Sequence, residues 1–294
     1  MAIWFWFIIS AVLGILFGML ITFLFGKFPE SWLQDYDFDP KSPNYRPSKR
    51  MKAVPHGIIS CAGIVLCYFV SIIFAPHFFI ELSYMRLAVI ALLMPVLFLI
   101  IMSDKLNRII PDQFSIFILI LGVISAIADF TEGSIWFSDK AAWFAPLLNR
   151  IIAAIVGGGF LWLIGFLSMT FAGKEGMGQG DMKLMFALGF LSGCYGLIVI
   201  LYVAVFSALI FAIPMLIRKS IRKNKEEEMI KNSDNPRKAR RELELQKAKI
   251  HYADDPDYLA FGPFLALGCA VFIAMEPFFY QKLFSILASM GVLF

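Results

Sequence analysis

The sequence is short of charge and of metal-binding side chains. Asp, Glu, Lys and Arg make up 16% of its 294 residues, while 60% are hydrophobic and the mean hydropathy is +0.76. Soluble domains carry nearer a quarter charged residues, so that class is excluded. Only four cysteines and three histidines are present. Cys61, Cys67, Cys194 and Cys269 lie in apolar stretches without any C-x-x-C pair, and His56, His77 and His251 form no cluster. A zinc site needs clustered thiolate or imidazole ligands, so no metal site is expected. The cysteines read as small buried apolar residues. No internal repeat is visible. The net charge of +4 points to no nucleic-acid partner, because the basic residues gather in loops as membrane topology requires.

What the chain has is long apolar runs. Eight membrane helices are predicted, at about 3–25, 57–77, 85–102, 110–129, 150–171, 182–194, 196–217 and 259–292. The fold class is therefore an all-α polytopic membrane bundle, taken as one domain over 1–294. The first run has no basic stretch before it and is long enough to span, so it reads as a membrane helix rather than a cleaved signal. The sixth is short, and Gly193 marks a turn into the seventh. Pro277 is expected to kink or break the eighth. Gly157, Gly158 and Gly159 predict close backbone contact with a neighbour.

Lysine and arginine set the expected orientation. With eight spans, the loops after the first, third, fifth and seventh share one side and hold 22 of the 26 basic residues. That bias places them in the cytoplasm. Two of these loops are long. The first, 26–55, has Asp35, Asp37 and Asp39 at alternate positions but lacks the glycine and closing glutamate of a calcium loop. The second, 218–258, has the mixed charge of a solvated amphipathic helix or a flexible segment.

Acids at membrane depth are costly and call for a reason. Asp104, Asp112, Glu175 and Asp181 fall at helix edges on the cytoplasmic side. Asp112 follows Pro111 and reads as an ordinary helix start. Glu175 reads as a solvated loop acid. Asp181, in EGMGQGDMKL, is a candidate N-cap, with Gly178 and Gly180 as loop flexibility. Asp104 ends an apolar run, where a negative charge opposes the helix dipole. It could cap a following turn or pair with Lys105 or Arg108; the alternative is a partner elsewhere, for which Asp181 is the best candidate. Two carboxylates in one site cannot both ionise easily and so hold one proton between them. One can accept a proton from water while the other polarises a peptide carbonyl. Glycines beside Asp181 would admit a substrate backbone. The same pair could instead bind a cation or relay protons in a transporter.

Three stretches carry a resemblance: EGMGQGDMKL at 175–184, SDKLNRIIPDQ at 103–113 and FGPFLALG at 261–268. In this order they resemble the bacterial type IV prepilin peptidases, which are G-x-G-D membrane aspartyl proteases, over roughly residues 85–275. The resemblance implies a multi-pass inner-membrane endopeptidase with its active site facing the cytoplasm. Its substrates would be type IV prepilins and pilin-like secretion or competence proteins, which lose short basic leaders. Asp104 and Asp181 become the catalytic pair. Gly178 and Gly180 are the signature glycines, and Glu175, Lys183 and Asp112 match motif positions without a catalytic role. Proteolysis by such a pair needs no cofactor. Many members also methylate the new N-terminus with S-adenosylmethionine, and many carry two C-x-x-C pairs in the first cytoplasmic loop. That loop has no cysteine here, which leaves methylation open.

Overall fold

The computed structural model describes residues 3–34, 39, 41, 45–137, 142–173, 177–233, 235–248 and 259–289. Asp35, Asp37, Glu175 and His251, singled out above, lie outside them. Among the described residues there are helices and no strand. They are α1 (Ile3–Lys27), α2 (Glu30–Leu33), α3 (Ile58–Phe74), α4 (Pro76–Ile80), α5 (Tyr84–Asn107), α6 (Asp112–Thr131), α7 (Ala145–Ala172), α8 (Gln179–Lys231), α9 (Pro236–Ala248), α10 (Gly262–Ala274) and α11 (Glu276–Ser289). A single π-helical turn, Ala53–Gly57, leads into α3. The chain is a multi-pass membrane protein. In lipid every backbone polar group must be paired within its own segment, and helices of this apolar composition satisfy that condition.

Six helices are long and apolar enough to cross a membrane, or seven if the bent pair α10 and α11 forms one span. Eight were predicted, and the difference lies in α8. Its 53 residues run on as one element, yet Gly193 inside it has φ 70 and ψ 179, which is not helical. The packing shows that the chain turns back there. Before Gly193, Gly180 lies on Ile110 and Gly189 on Ala153. After it, Gly196 meets Phe272 and Gly268 meets Ile200. Further on, Phe211 meets Phe264. Gly157 touches both Met185 and Leu197, one from each side of the turn. Residues 179–192 thus leave the Asp104 end of the bundle, and residues 194–211 return to it.

The predicted break in the last span falls at Met275, where α10 and α11 bend by 77°. Pro277 sits in the first turn of α11, a position that tolerates it. Of the three neighbouring glycines, Gly157 and Gly158 pack closely on α8, and Gly159 has nothing within 4 Å. α1 docks on α3 in the same small-residue manner. A Cβ on Gly14 or Gly18 would fall within 3.0 Å of Val65 or Cys61 backbone atoms. The centre of the bundle is α5, whose 18-residue apolar window is 56% buried against 22% for α1. It contacts α6 and α10, while α8 packs on α6, α7 and α10.

Candidate active site

α5 runs past the predicted end of its apolar run to Asn107, so Asp104 lies within the helix rather than closing it. Its main-chain oxygen accepts the Arg108 N–H. Arg108 then takes the left-handed conformation, φ 61, and stops the helix. The Ser103 hydroxyl donates to the Ile109 carbonyl at 2.8 Å and folds the chain back. This turn returns Ile110-Pro111-Asp112 to the helix end. α6 starts at Asp112, as predicted, with the acid in its first turn.

Asp181 enters from the other side. α8 begins at Gln179 with Gly178 as its N-cap, so Asp181 is the third helical residue and not the cap itself. Both aspartates are buried, at 5% exposure for Asp104 and 9% for Asp181. They are near enough for their charges to interact. The Gly262 N–H, at the first turn of α10, donates to the Asp104 carboxylate, and Arg108 adds a positive charge nearby. Asp181 Oδ1 is buried with no hydrogen-bond partner. A buried polar atom without a partner costs about 1–3 kcal/mol.

The two signature glycines do different things. Gly178 is exposed, and a Cβ there would only touch Asp181 Oδ2 at 3.5 Å. Gly180 faces Ile110, whose Cβ a side chain would meet at 3.2 Å. Gly180 therefore serves helix-to-turn packing, and Gly178 alone borders open space beside the carboxylate. Lys183 Nζ pairs with Asp112 at 2.8 and 3.0 Å, on a partly exposed face. That pair ties the start of α8 to the start of α6, beside the aspartates and not between them. Among the described residues no group of three or more His, Cys, Asp or Glu side chains could hold a metal ion.

Sequence reasoning missed Gly262, Ile110 and Asn107. A Cβ on Gly262 would lie 2.6 Å from both Asp104 Oδ2 and Ile110 Cδ1. The signal for it was the opening glycine of FGPFLALG. Asn107 stands three residues after Asp104, on the same helix face. Its side-chain oxygen accepts the Lys49 N–H at 2.8 Å, and its amide donates to the Lys49 carbonyl at 3.1 Å. The same stretch is held on its other side, where Ser48 donates to Leu33 O and Glu30, and Arg50 pairs with Glu30 at 3.4 Å. The 45–52 segment is thus strapped to the Asp104 end of α5.

Residues 91–213 match the model of the type IV leader peptidase family, a span that contains both aspartates. The chain is 30% identical over 109 residues to a prepilin leader peptidase/N-methyltransferase of Xanthomonas campestris pv. campestris, covering 36% of this chain and 33% of that one. It is 31% identical over 116 residues to the protein of that name from Neisseria gonorrhoeae, covering 40% and 36%. A longer alignment, 25% identical over 187 residues, reaches the one from Pectobacterium carotovorum subsp. carotovorum, covering 64% and 51%. The matched part spans about a third of the length of the first two of these relatives. No solved structure matches the chain.

Proposed function

We propose that this chain is a membrane aspartic endopeptidase that removes basic leader peptides from type IV prepilins and related pilin-like proteins. The observation that carries the reading is the approach of two buried carboxylates, Asp104 and Asp181, at one end of the bundle. The match over residues 91–213 and the names of the relatives favour hydrolysis over the cation-coupled transporter that an acidic pair alone left open.

The chemistry follows from one proton shared by two carboxylates. The ionised member takes a proton from a water molecule, whose oxygen attacks the scissile carbonyl carbon. The protonated member donates to the carbonyl oxygen, giving a neutral tetrahedral diol. Collapse of the diol breaks the C–N bond. The newly protonated carboxyl gives its proton to the leaving nitrogen, the other takes one from a diol hydroxyl, and the dyad holds one proton throughout. No covalent enzyme intermediate and no cofactor are needed. The Gly262 N–H orients Asp104, and the gap beside Gly178 leaves space for a substrate main chain.

We assign the whole chain to one inner-membrane domain with the dyad facing the cytoplasm, together with the 26–55 and 218–258 loops. The support is the gathering of basic residues on that side. The relatives' names add N-methylation, for which the cofactor would be S-adenosylmethionine. The cavity lined by Asp129, Trp136, Arg150, Glu276 and Tyr280 does not fit it. It has about 20 Å³ for water-sized occupants, and it lies at the end away from the dyad. The first loop also lacks cysteine. We assign no methyl-transfer step to these residues.

Digestion of a prepilin by the purified enzyme, read by mass spectrometry with and without S-adenosylmethionine, tests the reading. A product lacking its leader is the expected result. Uncut prepilin from folded enzyme would overturn it, and a methyl increment on the product would overturn the missing methyl-transfer step.

A further inference from the structure

The end of the bundle away from the dyad holds a buried polar chain that proteolysis does not use. Arg86 of α5, Asp129 of α6 and Arg150 of α7 run in series. Arg86 meets Asp129 at 3.5 Å, and Arg150 meets it at 2.6 and 3.1 Å. All three side chains are at most 11% exposed. Arg86 also pairs with Glu132 and donates to the Gly133 carbonyl. Arg150 reaches further. It donates to Ser125 Oγ at 2.9 Å and to the main-chain oxygens of Phe190 (3.3 Å) and Leu191.

Those two carbonyls close the first half of α8. In an unbroken helix the Phe190 oxygen would accept the Cys194 N–H. The Gly193 turn takes that donor away, and the Cys194 N–H goes to Asn149 Oδ1 at 3.3 Å instead. Arg150 supplies the missing donor and sets a positive charge at a helix C-terminus, where the dipole favours it.

We infer that the Arg86–Asp129–Arg150 chain is a distal brace that sets the height of α5 against residues 179–192, and thereby the meeting of Asp104 and Asp181. The two helices that carry the aspartates are the two that the brace joins. α5 supplies Arg86, and the short half of α8 supplies the carbonyls. Close packing of small residues brings these helices together, and bonds with a direction add to it. Directional bonds from a buried guanidinium constrain axial position and rotation. A helix is stiff along its axis, so a shift at Leu191 appears undiminished at Asp181. A misplacement of about 1 Å at reacting groups can cost about 10²-fold in rate. These are positioning residues, and the inference rests on the peptidase reading only for its kinetic consequence.

Arg150→Lys tests it, because lysine keeps the charge beside Asp129 but cannot fork to two carbonyls. On a prepilin substrate, kcat should fall at least about tenfold, with KM within about twofold. A second readout needs no cleavage. A Cβ on Gly180 would lie 3.2 Å from Ile110 Cβ, close to the roughly 3.5–4.5 Å that a disulfide prefers. Ile110→Cys with Gly180→Cys should therefore cross-link on mild oxidation, as mapped by mass spectrometry. Adding Arg150→Lys should lower the yield.

Wild-type kcat in Arg150→Lys, or an unchanged cross-link yield, would overturn the brace. Should that variant not fold, Asp129→Asn takes its place with the same two readouts, since it keeps an oxygen for Arg150 without the charge. If the wild type cuts no prepilin, the peptidase reading falls and the cross-link still decides the brace.

Discussion

Asp104 and Asp181 stand 77 residues apart in sequence, and the proton that we propose they share would make each indispensable. Asp104→Asn and Asp181→Asn should each abolish cleavage in folded protein, with the double variant no worse than either. A digestion assay on all three checks this, and additive losses would count against a unit. Asp112→Asn should cost less than tenfold in kcat/KM. Its ion pair with Lys183 is partly exposed, and such pairs contribute about 0–1 kcal/mol. Gly262→Ala should be far worse. The new Cβ must displace either the Asp104 carboxylate or Ile110, so kcat should drop about 10²-fold. Adding Ile110→Ala relieves one clash only, and full recovery in that double variant would show that Asp104 was never disturbed. The two aspartates could be picked out in the sequence because charge in an apolar run is conspicuous. The Gly262 contribution could not, since it is made by a backbone N–H that every residue but proline has.

At the scale of elements, apolar runs located most helices to within a few residues, and the Gly193 and Pro277 breaks were foreseen. Helix ends were less legible where polar residues continue a helix. The last turn of α5 carries Lys105 and Asn107 on either side of Leu106, so its apolar run ended early and Asp104 looked terminal. The strap over that turn left no pattern at all. It depends on Asn107 meeting Lys49, 58 residues away, through main-chain atoms. Asn107→Ala removes both bonds to the Lys49 peptide groups. The 45–52 segment should then loosen and be cut faster by trypsin at Lys49, Arg50 or Lys52, with the transmembrane core unaffected. Unchanged proteolysis would mean that the other bonds of the segment, among them those of Glu30, Gln34, Ser48 and Arg50, hold it without Asn107.

For the whole molecule, the distribution of Lys and Arg forecasts one orientation. Reporter fusions within 220–250 should behave as cytoplasmic, and those near Gly133 as extracytoplasmic. The reverse pattern would put the dyad on the wrong side for leader removal. The all-α class was legible from hydropathy alone. The layout of the bundle was not, because packing partners in a membrane are chosen by small residues and polar bonds at scattered positions. Gly14 and Gly18 against α3, and Gly189 against Ala153, are such choices.

The turn at Gly193 has a consequence for the bilayer itself. Residues 179–192 form a helix of fourteen residues, roughly 20 Å long, where a typical hydrocarbon core is roughly 30 Å thick. With one end at the Gly193 turn, this segment cannot carry Asp181 to the far surface unless lipid and water close the gap. If the Gly193 turn lies at the far surface, the adjoining leaflet would have to thin, or a wet indentation would have to form over the dyad. Either would bring water to the two carboxylates without a channel through the protein. Turnover should therefore be higher in vesicles of short-chain dimyristoleoyl phosphatidylcholine than in long-chain dierucoyl phosphatidylcholine, at equal substrate density. Equal rates in both would mean that the surrounding helices, and not the lipid, hold that indentation open.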